Sequence, residues 1–570
     1  MLKVKNLGIS FKTGDGLFTA VKNISFNLKK GETIGIVGES GSGKSVTSLA
    51  LMRLLNEHQT VISGEVLLND VSLCKISEAD MRHIRGNRMA MIFQEPMTSL
   101  NPVLTCGFQL TEAIQLHLGL SKTKAKKKTI ELFNEVKLPR PEAIFDSYPH
   151  QISGGQKQRV MIAMALCCNP EILIADEPTT ALDVTVQKTI IELLLNLKTV
   201  RHMSLIFISH DLGVIKEIAD RVMVMYKGEI VEEAKVADLF ANPKHPYTRG
   251  LLACRPSPNQ HLKKLPVVAD FFDTDNAGNK SSVTIENIRA LYNYPQQEIA
   301  ERKKELYKQQ PLLKIDQLST WFPVKTGLFG HSANMVKAVN KVSFEVYPGE
   351  TLGLVGESGC GKTTLGRSIL RLIEPTAGNI SFENTDLRSL KKNDLREIRR
   401  NIQIVLQDPY SSLNPRLTVG QSLMEPLQVH QFYANNTKRK KHVLELLEKV
   451  NLLPEHFNRF PHEFSGGQRQ RIVIARALAL QPKFIICDES VSALDVSVQA
   501  QVLNLIRELQ QEFKLTYIFI SHDLAVIKHI SDRMMVMNKG EIIETGYPDD
   551  IYYRPKEDYT KRLIASIPQG

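Results

Sequence analysis

The chain has 570 residues, of which 42% are hydrophobic and 23% are charged, and its formal net charge is +11. Because a single hydrophobic core rarely serves more than about 200 residues, this length predicts at least two domains. The composition is that of globular proteins and excludes a disordered or fibrous chain, while the charge favours anionic partners without deciding among them.

Neither a membrane span nor a secretion signal is indicated. The longest apolar runs, such as residues 160–168, end well before the roughly 18 residues that a membrane helix needs. The first residues, MLKVKNLGIS, lack the basic segment, apolar run and small-residue cleavage site of a secreted protein. We therefore expect the chain to stay in the cytoplasm.

The seven cysteines are scattered along the chain without CxxC spacing. This pattern argues against a zinc site, a metal cluster or a disulfide framework. We expect most of the cysteines to be small apolar residues of the core.

In chain order, the first half opens with short apolar strands, and the strand at residues 33–37 leads into a glycine-rich loop. The loop, GESGSGKS at residues 38–45, matches the pattern GxxxxGK[ST] and precedes a helix-compatible run. Glycines let backbone N–H groups turn toward a phosphate, and a helix start adds the positive end of its dipole. Lys44 is then expected to contact the β- and γ-phosphates of a nucleotide, and Ser45 to offer its hydroxyl to Mg²⁺.

Polar residues follow apolar runs through the rest of this half. MIFQEP, which contains Gln94, precedes a lysine-rich helical middle and the string SGGQ at residues 153–156. The strand-like run ILIAD ends in Asp176 and is followed by Glu177, and SLIFIS is followed by His210. The alternation of strands and helices suggests a mostly parallel α/β sheet, whose buried strands read as continuous apolar runs.

A polar segment at about residues 256–311 separates the two halves. It contains FFDTDNAGNKSS and then a charged, helical-looking stretch, AERKKELYKQQ. We interpret it as a tail and linker, and we place the domains at residues 1–255 and 312–570.

The second half repeats the strings of the first in the same order. The glycine-rich loop returns as GESGCGKT at residues 356–363, an offset of 356 − 38 = 318, whereas SGGQ returns at residues 465–468, an offset of 465 − 153 = 312. The Asp-Glu pair and ISHDL share the second offset. Such constancy indicates duplicated domains rather than chance matches. A lone histidine is more often a structural residue. His210 and His522 recur at matching places in the two halves, however, and this repetition favours a functional role for both.

Together these strings resemble the motif set of ABC ATPases. Each half carries the full set, so the resemblance covers nearly the whole chain. The two SGGQ strings follow Ile152 in the first half and Phe464 in the second. Each lies between the phosphate loop and the Asp-Glu strand of its half, as the family's signature motif does. The implied fold is α/β, with tandem P-loop ABC ATPase domains. Each would be a RecA-like α/β core with an α-helical subdomain and a small antiparallel β part.

The resemblance also implies a role for each repeated residue. Glu177 and Glu489 resemble the catalytic base that acts on the attacking water, and His210 and His522 resemble the switch histidine that contacts the γ-phosphate. The implied Mg²⁺ ligands are Ser45, Gln94, Asp176, Thr363, Gln407 and Asp488, where Gln94 and Gln407 resemble the Q-loop glutamine, and the D-loop residues are Asp183 and Asp495.

In ABC proteins, ATP lies between the phosphate loop of one domain and the signature of the other. The resemblance therefore implies one site from residues 38–45 with 465–468 and another from residues 356–363 with 153–156. The implied ATP-binding residues are Gly38, Glu39, Ser40, Gly41, Ser42, Gly43, Lys44, Ser45, Ser465, Gly466, Gly467 and Gln468 at the first site, and Gly356, Glu357, Ser358, Gly359, Cys360, Gly361, Lys362, Thr363, Ser153, Gly154, Gly155 and Gln156 at the second. Phe11 and Phe322 are candidates for stacking on adenine, although Phe18 competes with Phe11 and a Phe beside a strand is more often a core residue. Neither site has a degraded motif, so both are expected to hydrolyse ATP.

The tail of the first half indicates which group of ABC ATPases the chain resembles. ANPKHPYTRGLLACRPS resembles the HPYT-type tail of oligopeptide, dipeptide and nickel importer ATPases, and SLNP after both Q-loop glutamines fits the same group. The implied partners are two integral-membrane permeases, which contact the Q-loop regions, and an extracytoplasmic solute-binding protein. The implied location is the cytoplasmic face of a bacterial inner membrane. Peptides are the favoured solutes, and nickel, glutathione and oligosaccharides stay open.

The tail of the first half departs from the pattern of these importer ATPases in one respect. Many members of the group carry a cysteine cluster in the tail, where this chain has only Cys254, so we expect no iron–sulfur centre.

The competing class is a soluble tandem ABC protein that acts on ribosomes. Such proteins usually have Arg where this chain has Leu212 and Leu524. The lysine runs at residues 122–128 and 438–441 are typical of solvated helix faces. We expect no nucleic-acid partner and leave contact with an anionic membrane surface open.

Overall fold

The structure of the protein, a computed structural model, describes residues 1–14, 16–94, 99–180, 182–257, 259–272, 284–325 and 333–567. Most of the polar stretch FFDTDNAGNKSS, residues 273–282, lies outside the described residues. Within these ranges the two halves fold alike, each with one six-stranded and one four-stranded sheet. The expectation of tandem α/β domains is confirmed.

The first half supplies ten strands and ten α-helices. The strands are β1 (Leu2–Thr13), β2 (Gly16–Leu28), β3 (Thr33–Val37), β4 (Thr60–Leu68), β5 (Val71–Ser72), β6 (Met89–Ile92), β7 (Ile172–Asp176), β8 (Ser204–Ile208), β9 (Arg221–Tyr226) and β10 (Glu229–Lys235). The helices are α1 (Lys44–Leu51), α2 (Glu78–Ile84), α3 (Cys106–Leu118), α4 (Lys122–Glu135), α5 (Pro141–Phe145), α6 (Gly154–Leu166), α7 (Val184–Arg201), α8 (Leu212–Ile218), α9 (Val236–Ala241) and α10 (Pro246–Ala253). These counts refer to the described residues.

The linker and the second half continue the same order. The linker contains α11 (Ile285–Leu291) and α12 (Gln296–Leu306). The strands that follow are β11 (Leu313–Lys325), β12 (Ala333–Val346), β13 (Thr351–Val355), β14 (Ala377–Phe382), β15 (Thr385–Asp386), β16 (Ile402–Val405), β17 (Phe484–Asp488), β18 (Thr516–Ser521), β19 (Arg533–Asn538) and β20 (Glu541–Gly546). The helices are α13 (Lys362–Ile369), α14 (Lys392–Ile398), α15 (Pro409–Ser412), α16 (Val419–Val429), α17 (Asn436–Lys449), α18 (Gly466–Leu478), α19 (Val496–Phe513), α20 (Leu524–Ile530), α21 (Pro548–Tyr553) and α22 (Asp558–Ala565). Short 3₁₀ turns lie at Pro149–Gln151, Val268–Phe271, Pro454–Asn458 and Pro461–Glu463.

The six-stranded sheets position the functional residues. The first has the order β10-β9-β3-β8-β7-β6 and the second β16-β17-β18-β13-β19-β20. In the first sheet, β6, β7, β8, β3 and β9 pair in parallel, and β10 pairs antiparallel with β9. Every residue of β3, β7 and β8 is buried, as expected for central parallel strands covered on both faces. Their carboxyl ends therefore meet at one edge of the sheet.

The opening strands differ from the expected short apolar runs. β1 and β2 are 12 and 13 residues long and pair antiparallel in the sheet β2-β1-β4-β5. Buried and exposed residues alternate along much of β1, because one face of this sheet packs on the core and the other faces solvent. The same arrangement, β12-β11-β14-β15, opens the second half.

The lysine runs and the cysteines lie largely where the sequence predicts. The lysine run at residues 122–128 lies mostly on the exposed face of α4, and residues 438–441 lie near the start of α17. Six cysteines are buried and Cys74 is exposed. Across the described ranges, none of the helices combines the length and the apolar character needed to cross a bilayer.

The linker docks on the second half rather than only joining the halves. Arg302 in α12 makes a two-pronged ion pair with Asp532, at 2.7 Å and 3.0 Å, and donates to the carbonyl oxygen of Gly349 at 2.9 Å. Farther upstream, Leu265 exchanges two backbone hydrogen bonds with the side chain of Asn504 in α19, at 2.8 Å and 2.9 Å. The tail of the first half is therefore fastened to the second.

Arg302→Ala should loosen this fastening. Loss of hydrogen bonds to a partly buried carboxylate costs about 1.5 kcal/mol or more, which corresponds to roughly tenfold greater opening of the docked helix. We expect cleavage of the linker by a protease under native conditions to become about tenfold faster. Lys304→Ala is the matched control, because Lys304 lies on the same helix and is exposed. Equal cleavage of the two variants would contradict the prediction.

Candidate functional site

The phosphate loop of the first half joins β3 to α1. Gly41 and Gly43 adopt φ values of 80° and 102°, a left-handed conformation that favours glycine. A Cβ at Gly41 would meet none of the described residues within 4 Å, so these residues leave open space beside the loop. Lys44 is only 5% exposed, and its ammonium group donates to the carbonyl oxygens of Gly38 and Glu39 at 2.8 Å and 2.9 Å. The described partners of this cation are thus neutral carbonyls, which an anion can replace.

The second phosphate loop has the same geometry between β13 and α13. Gly359 and Gly361 adopt φ values of 80° and 112°. The ammonium group of Lys362 donates to the carbonyl oxygens of Gly356 and Glu357 at 2.7 Å and 3.0 Å. The second loop therefore repeats the cradle of the first, except that Lys362 also lies 3.6 Å from the carboxylate of Glu489.

In each half, an aspartate at the end of a parallel strand lies beside the hydroxyl of the phosphate loop. Ser45 Oγ donates to Asp176 Oδ1 at 3.1 Å, and Thr363 Oγ1 donates to Asp488 Oδ1 at 3.0 Å at the end of β17. Burial raises the pKa of Asp176 to about 6, against the hydrogen bond from Ser45, and burial likewise raises the pKa of Asp488. A buried carboxylate next to a hydroxyl is an all-oxygen donor set of the kind that Mg²⁺ prefers, so these residues fit that ion.

Glu177 follows Asp176 and receives three side-chain contacts at Oε2. These come from Thr180 Oγ1 at 2.8 Å, His210 Nδ1 at 3.0 Å and Gln94 Nε2 at 3.2 Å. Its backbone has a φ of 47°, which is uncommon for a side-chain-bearing residue and often marks a functional position.

The charges around Glu177 shift its titration. Burial alone would raise the pKa of this carboxyl, but the hydrogen bond and charge of His210, together with the charge of Lys44, lower it to about 2. In return, burial would lower the pKa of His210, yet the Glu177 carboxylate raises it. The carboxylate and the imidazole therefore each favour the charged form of the other.

The second half repeats the cluster with small differences. Glu489 also has a φ of 47°, accepts from Gln407 Nε2 at 2.9 Å, and lies 3.5 Å from His522 Nδ1 and 3.6 Å from Lys362 Nζ. Burial would raise the pKa of Glu489, but His522 and Lys362 lower it. Both halves thus bring together the predicted lysine, acidic pair, glutamine and histidine.

The SGGQ strings begin helices. Ser153 caps α6, accepting from the backbone N–H of Gln156 at 3.3 Å, while Gln156 Oε1 accepts from the backbone N–H of Ser153 at 2.9 Å. Ser465 and Gln468 form the same reciprocal pair at the start of α18. Both halves therefore place a helix start at the SGGQ string, where free backbone N–H groups attract anions.

Contacts between the halves pair each D-loop region with the opposite phosphate loop. The backbone N–H of Ser40 donates to Asp495 Oδ2 at 2.7 Å, and Thr185 Oγ1 donates to Glu357 Oε1 at 2.9 Å. Asp183 instead caps α7 by accepting from the backbone N–H of Val186 at 3.0 Å. His210 and His522 both line a cavity of about 100 Å³ between the halves. The two sites therefore share one interface.

The candidates for stacking on adenine lie on strands of the two antiparallel sheets. Phe11 lies on β1, where it is partly buried and packs against the core, and its partner across β2 is Phe18, which is 61% exposed. Phe322 lies on β11 and is 40% exposed. Of the first pair, Phe18 is the more accessible ring, so the stacking role of Phe11 stays a prediction.

Two kinds of residue that lie beside the sites were not predicted from the sequence. Thr180 contacts Glu177, and its counterpart in the repeat, Ser492, lies three residues after Glu489. Tyr247 and Tyr559 accept hydrogen bonds from the phosphate loops. Repetition of a hydroxyl at the same offset of 312 residues was the available signal in each case.

Two family models, curated relatives and a solved structure match this chain. The family model described as ABC transporter matches residues 21–180 and 339–492, and the model described as the oligopeptide/dipeptide transporter C-terminal region matches residues 231–270. The chain is 48% identical over 576 residues to the glutathione import ATP-binding protein GsiA of Pectobacterium atrosepticum, covering 100% of this chain and 89% of the relative. It is 47% identical over 579 residues to GsiA of Escherichia coli K12, with the same coverage. A solved structure, the dimeric post-hydrolysis state of the ATP-binding cassette MJ0796 bound to ADP and Pi, matches with a TM-score of 0.38 and 30% identity, covering 41% of this chain and 99% of that one.

Proposed function

Because this chain belongs to the ABC transporter family, we propose that it is the ATP-hydrolysing subunit of a membrane importer for small peptides. The observation that carries the proposal is the double cluster of lysine, acidic pair, glutamine and histidine at the carboxyl edge of each six-stranded sheet. The matched tail at residues 231–270 and the GsiA relatives direct the proposal toward peptides. Glutathione, a tripeptide, is the first solute to test.

ATP binding would begin with an exchange at the phosphate loop. Lys44 leaves the carbonyl oxygens that hold it and moves to the β- and γ-phosphates, where its charge is better neutralised. Ser45, Asp176 and Gln94 would hold Mg²⁺, which supplies charge neutralisation to the phosphates when bound. The signature of the other half then closes over the nucleotide, with the start of α18 facing the first loop.

Hydrolysis would require Glu177 to change partners. With a pKa of about 2, this carboxylate orients a water molecule better than it removes a proton, since a base works best near the operating pH. When His210 moves to the γ-phosphate, Glu177 loses its strongest hydrogen-bond donor and becomes more basic. The same switch would therefore sense the nucleotide and activate the base.

Movement of the halves would drive the importer. Loss of the γ-phosphate contacts after hydrolysis lets the halves part, a ligand-driven shift between two states. The proposed partners are two integral-membrane permeases near the loops that follow Gln94 and Gln407, and an extracytoplasmic solute-binding protein. The chain would then work peripherally, on the cytoplasmic face of the membrane.

The experiment is genetic and biochemical. A strain that lacks this chain should lose growth on glutathione or small peptides as the sole sulfur or amino-acid source, and the wild-type chain should restore it. The tagged chain, purified from membranes, should bring two polytopic proteins with it. Ribosomes in place of membrane proteins would contradict the proposal, and unchanged growth on every peptide would contradict the solute class.

A further inference from the structure

A tyrosine from each carboxyl-terminal tail contacts the phosphate loop of its own half. The backbone N–H of Glu39, the second residue of the first loop, donates to the hydroxyl of Tyr247 at 2.8 Å. In the second half the backbone N–H of Glu357 donates to the hydroxyl of Tyr559 at 3.0 Å. These partners are 208 and 202 residues apart in the chain, so the contact is created by the fold and occurs twice.

The local sequence holds Tyr247 in place. His245 caps α10 by accepting from the backbone N–H of Tyr247 at 3.2 Å, and Pro246 occupies the first turn. The Tyr247 side chain is fully buried, and its ring centroid lies 4.2 Å from that of Tyr226, the last residue of β9. Since β9 pairs with β3, which leads into the loop, the tyrosine rests on the same sheet that positions the phosphate loop.

The hydrogen bond fixes one peptide unit from both ends. The N–H of Glu39 and the carbonyl of Gly38 belong to the same planar peptide and point in opposite directions. The N–H contacts Tyr247, and the carbonyl accepts from Lys44 at 2.8 Å. The Gly356–Glu357 peptide is held likewise between Tyr559 and Lys362, the latter at 2.7 Å.

We propose that Tyr247 and Tyr559 are positioning residues that keep the phosphate loops in their binding conformation while the loop lysine exchanges carbonyl oxygens for phosphate. This inference rests on the proposed ATP sites. Once Lys44 leaves Gly38, the tyrosine is the contact that keeps the peptide from flipping its carbonyl toward the incoming phosphate. The tail matched by the oligopeptide/dipeptide model, residues 231–270, is thereby part of the first nucleotide site.

The test is a change that removes one oxygen from each tyrosine. Tyr247→Phe, Tyr559→Phe and the double variant are made in the full-length chain, and ATP hydrolysis is measured with binding of a fluorescent ATP analogue. A hydrogen bond of ordinary strength corresponds to roughly a threefold to tenfold effect. We expect KM and the analogue's Kd to rise by about that factor in the double variant, with kcat within about twofold of wild type. Each single variant should weaken only one of the two binding phases.

Matched variants separate positioning from general packing. Tyr226→Phe removes the hydroxyl from the ring that packs against Tyr247 but keeps the Tyr247–Glu39 hydrogen bond, so its KM should equal that of wild type. Thermal unfolding of the nucleotide-free chain monitors folding, and Tyr559, which is only partly buried, provides a second site if Tyr247→Phe is unstable. Unchanged KM and Kd in the double variant, or a loss confined to kcat, would overturn the inference. A wild-type chain that neither binds nor hydrolyses ATP would instead overturn the proposed function.

Discussion

Glu177→Gln combined with Glu489→Gln should lower the ATPase rate by at least about 100-fold while the chain still binds ATP. Each glutamate is buried directly after a parallel strand and lies close to the histidine of its half, and the charge of the phosphate-loop lysine helps to lower its pKa. Glutamine keeps the shape but cannot accept a proton, and the loss of a positioned acid–base group typically costs 10²- to 10⁴-fold. Because ATP is no longer consumed, the two halves should stay closed around it. Steady-state ATPase rates and retention of radiolabelled ATP through gel filtration measure both effects.

The control uses the same chemical change at another repeated position. Glu229 and Glu541 begin β10 and β20 and are exposed at the sheet edge, where surface ion pairs contribute little. Glu229→Gln with Glu541→Gln should leave turnover within about twofold of wild type. Normal turnover by the Glu177 and Glu489 double variant would remove these residues from the hydrolytic role.

The sequence predicted the parts of the fold that depend on local pattern. Strand β3, with bounds at Thr33–Val37, agrees with the predicted range because its continuous apolar residues are buried on both faces. The opening strands were expected to be short, but β1 runs from Leu2 to Thr13, since its alternating pattern satisfies a half-exposed sheet. The docking of α12 through Arg302 and Asp532 joins residues 230 apart, and no local pattern encodes such a contact.

The same distinction applies to the site. Lys44, Asp176 and His210 lie at or after the carboxyl ends of strands that meet at one edge of the sheet, so motif and topology together predict that they converge. The hydrogen bond between Tyr247 and Glu39 depends on how the tail packs, and the cross-half contact of Ser40 with Asp495 depends on how the halves associate. Repetition is the only trace that these contacts leave in the sequence, because each half repeats the tyrosine and the aspartate.

Pairing of the two halves into composite sites predicts a specific non-additivity. Glu177→Gln disables hydrolysis at the first loop, and Gly466→Arg fills the signature expected to face that loop, so the two changes together should cost no more than the more severe single change. Glu177→Gln with Gly154→Arg disables one site each, and activity should fall at least about 100-fold. Steady-state ATPase rates of the three single and two double variants measure the comparison.

The signature glycines suit this test because the fold itself leaves room for a side chain. Among the described residues, a Cβ at Gly154 would meet nothing within 4 Å and a Cβ at Gly466 would meet only Leu494, at 3.9 Å. Arginine should therefore be accommodated within its own half while obstructing nucleotide in the facing one. The expected pairing follows from Asp495, which lies after the second signature and contacts the first phosphate loop at Ser40. If Glu177→Gln with Gly154→Arg behaved like a single variant, each half would carry a site of its own. A fall of both double variants to background would mean instead that neither site turns over without the other.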